Sequence, residues 1–140
     1  MPVVNWYAPD LTSDRETGLA STPLPEIVRL LKTGTSATAQ TSGPMAEVVQ
    51  HGTQHMTQAD LQAMAVYLQS RAQKSVDAAP VSARAKVSLA VAEKGLQIYD
   101  RHCAQCHGEQ GQGVTTAAGD KAYPPLAGNR AVLLNDPTNL

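Results

Sequence analysis

At 140 residues the chain fits a single domain. Its net charge of −1 and its 16% of charged residues give no basis for a nucleic-acid or anionic-membrane partner, and no apolar run approaches the length of a membrane span. Aromatic residues make up only 4%, with no Phe at all, which is little bulk for a core of this size.

In chain order, Leu24, Ile27, Leu30 and Leu31 recur at helical spacing behind two prolines, with Gly34 as a stop, and predict a helix over 23–33. The polar, small-residue stretch from Thr35 to Gly43 reads as loop. Thr57 to Arg71 gives the strongest helix signal. Thr57 and Asp60 form a capping-box-like start, Met56 and Leu61 a hydrophobic staple, and Leu61, Met64, Ala65 and Leu68 an apolar stripe. The stretch from Ala72 to Arg84 mixes Ala, Ser, Pro and charge and reads as a linker. A further helix is predicted from Ala85 to His102, followed by glycine- and proline-rich loop, with Pro137 placed to open a last helix. No segment shows a convincing strand pattern. The expected class is all-α.

Cys103-Ala104-Gln105-Cys106-His107 has the spacing of a c-type haem attachment site. Two thiols three positions apart can add to the two vinyl groups on one edge of a porphyrin, and the adjoining imidazole then lies under the iron. The alternatives are a chance match, a redox pair and half of a zinc site. A redox pair belongs in a βαβ setting, and zinc wants a fourth ligand at finger-like spacing; the pattern has neither. Gly111-Gln112-Gly113 follows this motif and not a strand, so it is no nucleotide loop. A covalent haem would also supply the apolar bulk that the aromatics do not. Maturation of that kind implies an exported, periplasmic protein. Met1-Pro2-Val3-Val4 lacks the basic start and apolar stretch of a signal peptide, so the sequence reads as a mature form or a fragment.

Gly95, Tyr99 and Cys103 share one helix face at four-residue steps, and Tyr123-Pro124-Pro125-Leu126-Ala127-Gly128-Asn129 follows the haem motif. This arrangement resembles the class I cytochromes c. The resemblance implies that the Pro124 carbonyl accepts the Nδ1 hydrogen of His107 and fixes its tautomer; read without it, Pro124-Pro125 is equally an ordinary rigid turn. The order of the elements is unusual. Asn5 to Thr12, Leu31 to Gly34, Ser42 to Val49 with Gly43-Pro44-Met45, and Ala65 to Leu68 look like the methionine half of such a domain, yet they come first. Together with Tyr123 to Arg130 they are similar to the multihaem cytochrome c subunits of membrane-bound quinoprotein alcohol dehydrogenases and their gluconate and sorbitol dehydrogenase relatives.

That resemblance implies a methionine-ligand half at 1–72, a linker at 73–84 and a haem-attachment half at 85–140. Together they make one cytochrome c-like domain in circularly permuted order, or one completed by a domain swap in a homodimer. It implies one covalent haem c held by Cys103, Cys106 and His107, with Met45, in the loop after Pro44, as the second axial ligand. The expected role is electron transfer and not catalysis, with a quinoprotein dehydrogenase and a quinone-linked chain as partners. The alternative is an open-site haem protein, gas-binding or peroxidase-like, should Met45 not ligate. Met45 read without the family is equally a gap-filling core methionine. His51 and His55 lie near the methionine loop and His102 on a helix surface. Trp6 and Tyr7 are candidates either to reach the haem propionates or simply to pack.

Overall fold

Pro23 and Pro25 at one end and Gly34 at the other frame the first helix, α1 (Leu24–Thr33), in the computed structural model. Gly34 takes the left-handed conformation and returns its N–H to the Leu30 carbonyl at 2.9 Å. The structure describes residues 6–73, 87–117, 121–134 and 138–139. They fall into two units. One holds the described residues through 73 together with Asn129 and those after it, and the other runs from 87 to Gly128. This division cuts the stretch 85–140 at Gly128. The linker expected over 73–84, Gln73 apart, and the helix start expected at Pro137 lie outside the described residues.

In the first unit α1 is followed by α2 (Pro44–His51), a 3₁₀ turn (Thr53–His55) and α3 (Gln58–Arg71). The Thr57 hydroxyl accepts from the Asp60 N–H at 3.2 Å and donates to the Asp60 carboxylate at 2.6 Å, so the two residues expected to cap α3 do so. α1 packs against α3 around Leu19, Ile27, Val28, Leu61 and Ala65, with Met56 and Leu68 against them. Polar ties hold the same pair. Gln69 donates to the carbonyls of Thr22 and Leu19 at 2.9 and 3.3 Å, and Lys32 to that of Met56 at 3.0 Å. Leu61 is fully buried, so Leu61→Ala is expected to lower the unfolding free energy by about 2–5 kcal/mol in a denaturant titration.

The residues after Gly128 complete this unit. Asn129, 1% exposed, caps the short helix α6 (Arg130–Leu133) by accepting from the Ala131 N–H at 3.0 Å. The Arg130 N–H donates to the Thr38 carbonyl at 3.0 Å, and its guanidinium reaches the Asp14 carbonyl at 3.4 Å. The Asn139 amide pairs with both backbone groups of Tyr7, at 2.9 and 2.8 Å.

In the second unit α4 (Leu89–His102) leads into a single turn, α5 (Ala104–His107). α4 starts later than the predicted Ala85: Val87 and Ser88 are not helical, and the Ser88 hydroxyl caps the helix by accepting from the Val91 N–H. To this helix-rich fold one short ribbon is added. β1 (Val114–Thr115) and β2 (Lys121–Tyr123) pair antiparallel, with Val114 opposite Tyr123 and a register shift beside it. Strands this short carry no alternation to read in a sequence. Among the described residues no helix is long and apolar enough to cross a membrane.

Candidate haem-attachment site

α4 delivers the two cysteines. The Cys103 N–H returns to the Tyr99 carbonyl at 2.8 Å, and the N–H groups of Cys106 and His107 both return to the Cys103 carbonyl, at 3.1 and 2.9 Å. Helical spacing places residues 103, 106 and 107 on neighbouring faces of this one turn. Both thiols are free and partly exposed. Among the described residues no three His, Cys, Asp or Glu side chains converge as a metal-ion cluster requires.

The turn is closed and braced by the residues after it. The Tyr99 hydroxyl donates to the Gly108 carbonyl at 2.6 Å, stapling α4 to the exit of the motif. The Gly113 N–H donates to the His107 carbonyl at 2.7 Å, and the N–H groups of Leu126 and Ala127 both donate to the Gly111 carbonyl at 2.8 and 2.9 Å. These bonds bring the 123–127 loop across the motif, where the Pro124 carbonyl lies 2.8 Å from His107 Nδ1. A carbonyl can only accept, so the Nδ1 carries the hydrogen and Nε2 is left with its lone pair. Tyr123 meets the imidazole edge-on at 6.1 Å. The approach is close enough to demand glycine at 113. Its φ is +77°, and a Cβ there would sit 2.7 Å from Pro125 N and from the Tyr123 carbonyl oxygen.

Met45 lies in the first unit, and it is not in a loop. Pro44 opens α2, Met45 occupies its first turn, and the side chain is 52% exposed. Proline's fixed φ and missing N–H suit the first position of a helix, and Ala46 and Glu47 continue it. The Trp6 ring lies against Gly43, and the Tyr7 hydroxyl donates to the Glu16 carboxylate at 2.9 Å. Asp10 accepts from the Thr12 N–H and hydroxyl, which hold its carboxyl below the usual range. His51 ends α2, His55 lies 3.3 Å from the Gln50 carbonyl, and His102 ends α4.

A donor set of two free thiols and an imidazole whose Nε2 is left available by Pro124 fits a covalently attached haem. The family model described as cytochrome c matches residues 92–139. Those residues belong to the cytochrome c family. The cytochrome c assignment covers the whole brace, from α4 through the Pro124 loop to α6, and it implies covalent haem c at the two cysteines. The chain is also similar, over nearly its whole length, to cytochrome subunits of dehydrogenases. The cytochrome c subunit of a quinone alcohol dehydrogenase from Gluconobacter oxydans is 38% identical over 99% of this chain and 29% of its own length. The fructose dehydrogenase cytochrome subunit of Gluconobacter japonicus is 30% identical, over 97% and 31%. The gluconate 2-dehydrogenase cytochrome c subunit of Pantoea cypripedii is 26% identical, over 99% and 32%. The chain thus spans less than a third of the length of these curated relatives.

The contacts that sequence reasoning did not foresee are those of Trp6 with Gly43, Arg130 with Thr38 and Asn139 with Tyr7. Each joins residues more than 30 positions apart. No local spacing signals contacts of that kind.

Proposed function

We propose that the chain holds one haem c through Cys103 and Cys106, with His107 and Met45 as its axial ligands, and that it passes single electrons. Bound there, the haem supplies a ferric/ferrous couple. The chain's own residues decide how that couple is used. Pro124 holds the His107 ring by Nδ1 and so aims Nε2. A thioether in the second axial place leaves no position for a substrate and favours a raised potential. The observation that carries the reading is the His107–Pro124 bond beside two free thiols of the same turn.

In this reading residues 1–72 and 85–140 supply the two halves of one haem domain in permuted order, within one chain or exchanged between two. Each unit, taken alone, supports it. Gly95 lies inside α4, where a Cβ would meet nothing within 4 Å. Its own unit has no use for a glycine that costs a helix about 1 kcal/mol relative to alanine, whereas a second helix crossing closely has. α4 leaves Leu96 and Ile98 bare, and α3 leaves Val66 and Tyr67 bare beside Ala59 and Ala63. Such apolar faces call for cover. The relatives' names point to a quinone-linked dehydrogenase as redox partner, and covalent haem attachment points to a periplasmic setting.

The test is the absorption spectrum of the oxidised, haem-loaded protein. The weak long-wavelength methionine–iron charge-transfer band is expected in the wild type and is expected to vanish in Met45→Ala, whose ferrous form should then bind carbon monoxide. A high-spin wild type without the band, binding carbon monoxide as it stands, would replace this reading with an open-site haem protein.

A further inference from the structure

α2 begins without a side-chain cap. Gly43, at its N-terminus, has φ +51° and ψ −136°, a conformation closed to other residues. The space in front of its Cα is filled by an indole. A Cβ at 43 would fall 2.4 Å from two atoms of the Trp6 ring and 2.7 Å from a third. The ring therefore bears on bare backbone two residues before Met45, at the turn from which that side chain projects. Trp6 is itself anchored. The next residue, Tyr7, has its N–H and carbonyl both taken by the Asn139 amide, at 2.9 and 2.8 Å, and its hydroxyl bound to Glu16. Asn139 belongs to the stretch that follows the haem motif and its proline loop.

We infer that Trp6 is a positioning residue for Met45. The strap Asn139–Tyr7 holds the indole, the indole presses on Gly43, and Gly43 sets the start of α2 and so the direction of the thioether. The inference rests on the proposed ligation by Met45. A methionine 52% exposed on the first turn of an eight-residue helix has little packing of its own to keep it in place, so the plate behind it controls how readily another ligand displaces it. Loss of one ring contact of this kind corresponds to a roughly tenfold change in a local equilibrium.

The experiment uses the haem-loaded 140-residue protein and its Trp6→Ala, Trp6→Phe and Asn139→Ala variants. Two readouts are taken: the affinity for added imidazole, and the alkaline pH at which the methionine–iron band is lost. Trp6→Ala is expected to bind imidazole about tenfold more tightly and to lose the band about one pH unit earlier. Trp6→Phe keeps a flat ring against Gly43 and should return most of the difference; Asn139→Ala should shift both readouts in the same direction by less. A role confined to stability would lower the melting temperature and leave these two readouts alone. Should Trp6→Ala fail to mature, Asn139→Ala and Trp6→Phe still decide, the first by shifting and the second by staying near the wild type. A wild type with the band and variants that titrate like it would remove the inference and leave Met45 as ligand. A wild type without the band would remove both.

Discussion

Gly113→Ala is expected to destabilise the haem-loaded protein by roughly 2–5 kcal/mol, the sum of a strained backbone and an overpacked contact. The methyl group would meet backbone and not a yielding side chain, since the atoms at 2.7 Å are Pro125 N and the Tyr123 carbonyl oxygen. Either the chain at 113 retreats, at the expense of its N–H bond to the His107 carbonyl, or the 123–127 loop lifts and takes Pro124 from His107 Nδ1. In the second case the imidazole loses the partner that fixes its tautomer, and in the first its residue loses a backbone bond that holds it in place. Gly128→Ala is the control. Its φ of +73° is as unfavourable, but nothing lies within 4 Å of the new methyl, so only the conformational part, about 1–2 kcal/mol, is expected. Denaturant unfolding of the two variants separates clash from strain. Equal losses would mean that the close approach of the loop contributes nothing.

Gly43→Ala acts on the other half. The backbone conformation alone is expected to cost about 1–3 kcal/mol, and the methyl would also have to displace the Trp6 ring. A ring that is 37% exposed can swing away, so the two contributions can be told apart. In a Trp6→Ala background the Gly43→Ala change should cost roughly 1–2 kcal/mol less than in the wild type, the coupling expected of residues in direct contact. The measurement is a double-mutant cycle on unfolding free energy, with the methionine–iron band recorded for each variant. Strict additivity would show that the indole does not bear on residue 43 in solution.

What could be read in the sequence was whatever is decided within a few residues. α1 and α3 were legible because Pro23, Gly34 and the Thr57–Asp60 cap mark their ends, a 3.6-residue apolar period fills α1, and Leu61, Ala65 and Leu68 recur along α3. The cysteine pair and His107 were legible because the chemistry requires that spacing. α2 went unpredicted, and Met45 in its first turn was placed in a loop. Its eight residues make barely two turns, and its N-terminus depends on a glycine conformation and a tryptophan nearly 40 positions earlier, not on a capping side chain. The β1–β2 ribbon was missed because two and three residues hold no period. The partners of Arg130 and Asn139 were also out of reach. Nothing around either residue indicates that Arg130 meets Asp14 and Thr38 or that Asn139 meets Tyr7.

That last arrangement governs when the protein can finish folding. Tyr7 and Asn139 are 132 positions apart, and their pairing closes nearly the whole polypeptide into one ring. Closing a ring of that size carries a large entropic penalty, though one that grows only slowly with length. It also raises contact order, and slow acquisition goes with it. During synthesis α1 and α3 can collapse on each other early, since all their partners lie within the first 73 residues. The segment bearing Trp6 and Tyr7 must wait for residues made after the haem motif has already emerged. On the proposed ligation by Met45, attachment at the thiols would come first and axial closure last.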